Sequence, residues 1–308
     1  MIRRIAPLST LAALLLVAAC QHQTKPSQRS TVEAPPAHKP TIWLIGDSTV
    51  RNGSFDNGAT AGQWGWGHLL HYYFDPSKVT IVNDAMGGTS SKSFQESPTL
   101  WPLVISKVQP GDFVLMQFGH NDAATPKGNG DETAPGRGGA PTHTFGWYMR
   151  QYIEQVKAKG ATPIVCSLIP RNNWKDGKVN RGDDSFGLWA KQAADQEHVP
   201  FLPLNTLIAD KYDQLGKDKV TADLFPPREG THPNWAGAKL NAECVVEGLK
   251  QIDSPLKNFL LPNPKVPDTA DITPKDHGEL GPDEKGATAK WEAGAARRAA
   301  ATSQPGRP

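Results

Sequence analysis

The chain carries almost no excess of charge: 33 basic side chains face 31 acidic ones, a net +2 over 308 residues. A basic stripe interleaved with aromatics is also missing, so nucleic acid is not an expected partner. Cysteine is scarce, at three residues. No CxxC pair and no glycine-rich phosphate loop occurs, so no cofactor is expected and no metal site either. No internal repeat is found, which excludes a solenoid or propeller. Outside residues 11–19 no apolar run approaches the roughly 20 residues that cross a bilayer. What remains is an ordinary globular composition, 38% hydrophobic and 21% charged.

The ends of the chain read differently from its middle. Arg3 and Arg4 precede an apolar stretch, Leu11 to Ala19, that closes in "LVAAC" at Cys20. A basic start, a short apolar run and small residues before a cleavage point form a secretory signal. Ala18-Ala19 before Cys20 resembles a bacterial lipobox, which implies that Cys20 is the lipidated first residue of the mature protein. Residues 1–20 are therefore expected to be signal peptide and lipobox. The polar, Pro-rich 21–40 reads as a flexible linker. Residues 263–308 have few apolar residues apart from Trp291 and read as a disordered tail, with one amphipathic pattern at Ala287–Ala300. The protein is then exported and held to a bacterial membrane, at the periplasm or cell surface, by its N-terminal lipid alone. It is expected to be a monomer. Cys166 lies in a strand-like run and Cys244 in a helix-like one; a disulfide and two buried thiols are both open.

Between the tails, residues 41–262 make one domain. Ile42–Ile45, Val79–Asn83, Phe113–Phe118, Thr162–Leu168 and Val199–Leu202 are short apolar runs bounded by Gly, Pro or Asp, as strands covered on both faces are. Trp64–Phe74, Leu100–Val108, Phe145–Lys159, Phe186–Glu197 and Trp235–Gln251 read as helices. In the third, Phe145, Met149, Tyr152, Ile153 and Val156 share one face, and Gly160 stops it. Alternation of strand and helix predicts a doubly wound parallel sheet.

Such sheets bind ligands beyond the carboxyl ends of their strands. Here the first three strands run into "GDST" (46–49), "NDAMGGTSS" (83–91) and "GHND" (119–122). Ser48 is a candidate nucleophile, and Asp47 is expected to fix its turn. A weak hydroxyl nucleophile needs a base, and His232 in "REGTHPNWAGAKL" (228–240) can supply one, with Asn234 capping the helix that follows. Glu229 can curl back to the other ring nitrogen. The alternative is a Ser–His dyad whose imidazole is held by a backbone carbonyl, with Glu229 exposed. The backbone N–H groups of Ser48 and Gly88 and the Asn121 amide are candidate oxyanion donors. His120 and Asp122 flank Asn121 and are expected in the pocket. His68 and His71, three apart on a helix, read as a solvated face. The nine Trp are unusually many. Trp64, Trp174 and Asn172 are candidate substrate-binding residues, because aromatic faces stack on sugars and amides bond hydroxyls.

"GDST", the "GG" followed by "TSS", "GHND" and the "TH" loop, in this order, resemble the four blocks of the SGNH/GDSL hydrolases. "VNDAMGGTSSKSF", "FGHND", "IPRNNW" (169–174) and "FPPREGTHPNWAGAKL" resemble the rhamnogalacturonan acetylesterase branch. The resemblance covers about residues 41–252. It implies a three-layer α/β/α, flavodoxin-like SGNH fold with a five-stranded parallel sheet. It also implies Ser48 as nucleophile, His232 as base, and an oxyanion hole of Ser48, Gly88 and Asn121. The expected substrate is an acetylated plant cell-wall polysaccharide. One departure stands out: the family's Asp-x-x-His is here Glu229-Gly230-Thr231-His232. Two other functions stay open, a lipase- or thioesterase-like esterase and a non-catalytic carbohydrate-binding lipoprotein.

Overall fold

Alternation along the first strand sets the layers. Ile42 and Leu44 face one side of the sheet, Trp43 and Ile45 the other, and all four are buried. A computed structural model describes residues 38–51, 62–136, 139–181 and 185–270. The signal peptide, Cys20, the linker through residue 37, and residues 271–308 with the pattern at 287–300 lie outside the described residues.

In chain order the strands are β1 (Thr41–Gly46), β2 (Thr80–Asn83), β3 (Phe113–Gln117), β4 (Thr133–Pro135), β5 (Pro141–His143), β6 (Thr162–Cys166), β7 (Trp174–Lys175), β8 (Lys178–Val179) and β9 (Phe201–Leu202). The α-helices are α1 (Trp66–Leu69), α2 (Ser91–Glu96), α3 (Trp101–Lys107), α4 (Phe145–Ala158), α5 (Phe186–Gln196), α6 (Leu204–Leu215), α7 (Lys217–Asp223) and α8 (Trp235–Gln251). The main sheet is five-stranded in the order β2-β1-β3-β6-β9, and every pairing in it is parallel. β4 with β5, and β7 with β8, form small antiparallel ribbons.

On one face Ile42, Leu44, Leu115, Ile164 and Cys166 pack against Leu69 of α1, Ile208 and Tyr212 of α6, and Val245 and Leu249 of α8. On the other, Trp43, Ile45, Val114, Met116 and Val165 meet Val104 of α3, Ile153 and Val156 of α4, and Ala190 and Ala194 of α5. Each large aliphatic side chain so buried contributes about 1.5–3 kcal/mol. Two apolar faces on one sheet give the three-layer α/β/α SGNH fold. Among the described residues no helix is long and apolar enough to cross a membrane.

The structure also differs from the sequence expectations at particular elements. The helix expected over Trp64–Phe74 is cut to α1 and a 3₁₀ turn at Leu70–Tyr73. Trp64 lies outside it, and its N–H donates to the Pro233 carbonyl at 2.9 Å. The short α2 starts at a reciprocal cap in which Ser90 and Ser93 bond each other's backbone. The chain also stays on the domain beyond residue 262. Val266 packs on the core, and the Trp235 indole donates to the Pro267 carbonyl at 2.8 Å. Cys166 and Cys244 are free, buried thiols, and burial raises the pKa of both, that of Cys244 to about 12.

Candidate active site

Gly46 ends β1 where no side chain fits. A Cβ there would lie 2.5 Å from the Gln117 carbonyl oxygen of β3 and 2.7 Å from a Val50 methyl. The turn that follows is locked from within. Asp47 Oδ1 accepts the Thr49 N–H at 2.8 Å and the Thr49 hydroxyl at 2.7 Å. The Asp47 carbonyl accepts the N–H groups of Val50 and Arg51, each at 3.1 Å. Gln117 Nε2 donates to Thr49 Oγ1 at 2.6 Å, and its Oε1 accepts the Trp66 indole N–H at 2.9 Å. The turn role expected of Asp47 is what its bonds perform. Ser48 sits in the middle of this turn, only 7% exposed.

Its hydroxyl meets one ring nitrogen: Ser48 Oγ and His232 Nε2 are 2.9 Å apart, although the residues are 184 positions apart in the chain. His232 Nδ1 lies 3.2 Å from Glu229 Oε2. The contact lacks the alignment of a full hydrogen bond. The extra methylene of Glu is accommodated by the loop. Glu229 Oε1 turns inward and accepts the N–H groups of Gly230, Thr231 and His232 at 2.9, 2.7 and 3.1 Å. Oε2 remains for the imidazole, steadied by Gln63 Nε2 at 3.0 Å. Burial opposes charge on Glu229, but the His232 side chain and the loop N–H groups outweigh it and bring its pKa down from 4.5 to about 2. It is therefore a carboxylate at neutral pH. Asn234 accepts the Gly237 N–H at 3.0 Å and caps α8, as expected.

The second and third loops are tied to the first. Gly88 adopts φ +78°, a left-handed conformation that favours glycine, on a turn whose Met86 N–H donates to the Gly46 carbonyl at 3.0 Å. Thr89 Oγ1 donates to the Met86 carbonyl at 2.8 Å. The Asn121 amide donates to the Thr89 carbonyl at 3.0 Å, which ties the Asn121 and Gly88 loops together. Asp122 is buried and accepts the Ser91 hydroxyl at 2.6 Å and that of Thr125 at 3.0 Å. Burial raises its pKa to about 6 against those bonds. His120 lies among Asp47, Arg171 and His232; burial lowers its pKa to about 4, and Arg171 and His232 add to that against Asp47. It is neutral at neutral pH.

The residues expected to bind substrate fare unequally. Trp64 is 3% exposed, its ring packed edge-on to Trp235 at 5.0 Å and tilted against His68 at 4.9 Å. It has no face for a sugar and is a core residue. His68 is likewise buried against these rings rather than on a solvated face. Asn172 turns its amide to structure: Nδ2 donates to Thr221 Oγ1 at 3.1 Å, and Oδ1 accepts the Trp174 indole N–H at 2.7 Å. Trp174 is half-buried at the start of β7. Gln63 and Arg171 were given no role by the sequence reading. A lone polar side chain carries no periodic signal, and what marks both is contact with residues far away in the chain.

A serine hydroxyl bonded to an imidazole that a carboxylate backs can add to an acyl carbon and pass its proton to the ring. Comparison with known proteins agrees with that chemistry. Residues 44–240 match the GDSL-like Lipase/Acylhydrolase family. The chain is 31% identical over 224 residues to the "Probable rhamnogalacturonan acetylesterase YesY" of Bacillus subtilis, covering 71% of this chain and 97% of that protein. It is 30% identical over 227 residues to a rhamnogalacturonan acetylesterase of Emericella nidulans, covering 70% and 86%. The crystal structure of the YXIM protein of Bacillus subtilis aligns with a TM-score of 0.58 at 26% identity, over 70% of this chain and 57% of that one. The fold, the matched family and these relatives together show that this chain belongs to the GDSL-like lipase/acylhydrolase family and is a carboxylic ester hydrolase.

Proposed function

We propose that the protein is a serine esterase that removes O-acetyl groups from plant cell-wall polysaccharide, with the rhamnogalacturonan backbone of pectin as its substrate. The observation that carries the mechanism is the line Ser48 Oγ–His232 Nε2–Glu229, with spacings of 2.9 and 3.2 Å. Ser48 attacks the acetyl carbonyl carbon as His232 takes its proton. Glu229 orients the ring and stabilises the imidazolium. The backbone N–H groups of Ser48 and Gly88 and the Asn121 amide receive the developing oxyanion. Collapse releases the sugar hydroxyl, protonated by His232, and leaves acetyl on Ser48. Water, deprotonated by the same imidazole, then releases acetate.

The relatives named rhamnogalacturonan acetylesterases support the choice of substrate. Chemistry adds a reason. An acetyl group offers little surface, so the binding energy used in the transition state must come from the surrounding sugars. The deciding experiment measures acetate release from acetylated rhamnogalacturonan, acetylated xylan and p-nitrophenyl esters of rising chain length, with Ser48→Ala as control. Specificity should rise with oligosaccharide length and fall with acyl length. Faster hydrolysis of butyryl than acetyl esters, with no acetate from pectin, would replace this reading with the lipase-like one. By its N-terminal sequence the enzyme acts outside the cytoplasm, anchored through Cys20. Mass spectrometry of the membrane fraction would find a lipid on that residue.

A further inference from the structure

Arg171 stands between the two halves of the site. Its Nη1 donates to the hydroxyl of Thr231, the residue before His232. Its Nη2 donates to the carbonyl of His120, the residue before Asn121, at 3.2 Å. The next residue adds a third tie, because the Asn172 N–H donates to the Gly230 carbonyl at 2.8 Å. Among the described residues Arg171 has no carboxylate partner. Its two bonds go to uncharged oxygens, whereas Arg181 nearby in the chain is paired with Asp210 and Asp213.

We propose that Arg171 is a positioning residue that sets the distance between the loop carrying the base and the loop carrying the oxyanion donor. The inference rests on the serine mechanism proposed above. Those loops belong to distant parts of the chain and share no strand. His232 must meet Ser48 while Asn121 meets the oxygen of the same acyl group. An error of about 1 Å in such an arrangement can cost on the order of 10²-fold in rate. A guanidinium suits the task, since its planar fork holds two N–H donors at a fixed separation and reaches two acceptors at once. A lysine ammonium is a point donor on a flexible stem and would hold one loop firmly.

Arg171 also lines a cavity of about 320 Å³ with His120, Leu168 and Asn205. A direct contact with the sugar chain is therefore the competing role, and p-nitrophenyl acetate, which has no sugar, separates the two. Arg171→Met should lower kcat on this ester roughly ten- to hundredfold with KM within about twofold. Arg171→Lys should recover part of the loss. Thr231→Val removes one of the bonds from the other side and should lower kcat in the same direction. The double variant should be less impaired than the product of the two single effects, because both remove one shared contact. If Arg171→Met keeps its kcat on p-nitrophenyl acetate and only raises KM on acetylated oligosaccharide, the residue reads substrate and the proposal fails. If Arg171→Met does not fold, Thr231→Val decides alone, and full activity there overturns the brace. Failure of the underlying mechanism looks different: Ser48→Ala would then retain activity whatever is done to Arg171.

Discussion

The loop that carries Ser48 and the loop that carries His232 are held by opposite means. The first is a continuation of the sheet. Asp47 and Thr49 are fully buried, and the turn is bonded to itself, to Gln117 of β3 and, through the Thr49 carbonyl, to the N–H of Trp66. The second projects from the surface, with the His232 and Glu229 side chains 26% and 22% exposed. Within the loop one carboxylate gathers the N–H groups of Gly230, Thr231 and His232 on one oxygen and the imidazole on the other, while Arg171 and the Asn172 N–H tie the loop from outside. The difference shows where each half is vulnerable. A strand-end turn is over-determined, so one altered bond there leaves others in place. The histidine loop depends on Glu229 for the orientation of its ring and, together with the Arg171 and Asn172 ties, for its shape.

The largest expected effect does not distinguish the loops. Ser48→Ala and His232→Ala should each lower turnover by several orders of magnitude without unfolding the protein, since the proposed nucleophile and base would act as a unit. Retention of a tenth of the activity by either variant would remove it from the mechanism. Glu229→Gln tests the dependence of the second loop. The amide keeps the size but loses the charge and one acceptor, and kcat should fall by roughly 10³–10⁴. A loss below about threefold would mean that the loop holds His232 unaided. Asn121→Ala, which removes the proposed oxyanion donor and the tie to Thr89, should cost about 10²–10³ in rate.

Smaller effects concern stability. Gly46→Ala places a methyl 2.5 Å from the Gln117 oxygen and should destabilise the domain by about 1–3 kcal/mol, read as a lower Tm. An unchanged Tm would mean that the strand-end turn yields more readily than its bonding implies. The smallest effect is acid sensitivity. The fold lowers the pKa of Glu229 from 4.5 to about 2, so its contribution is complete above about 4.5 and is lost as pH falls toward about 2. Acid titration of stability should show that component in the wild type and not in Glu229→Gln. It will be modest, because the carboxylate is partly solvated.

Much of this was legible in the residue order, because its signals are local. Apolar runs of four to seven residues, bounded by Gly, Pro or Asp, marked all the strands of the main sheet, and Phe145 to Val156 marked α4 by their spacing. α6 goes unmarked by such runs, although Leu204, Ile208, Tyr212 and Leu215 repeat at helical spacing, and the six-residue α2 is too short to show a period. Ser48, Gly88, Asn121 and His232 stand out as candidates because they lie in short blocks at strand ends or before a helix, where chemistry needs small and polar residues.

By itself, then, the sequence determined the alternation of strands and helices and the side chains available at the strand ends. Both follow from interactions among neighbours in the chain. Only the tertiary structure decided that Trp64 lies under Trp235 instead of against a sugar, and that the Asn172 amide is bound to Thr221 and Trp174. It also decided that Glu229 reaches the imidazole, that Gln63 steadies it from 166 positions away, and that Arg171 spans both loops. Burial and hydrogen bonding between distant segments depend on which surfaces the packed layers bring together. No local pattern of residue types encodes those meetings one by one.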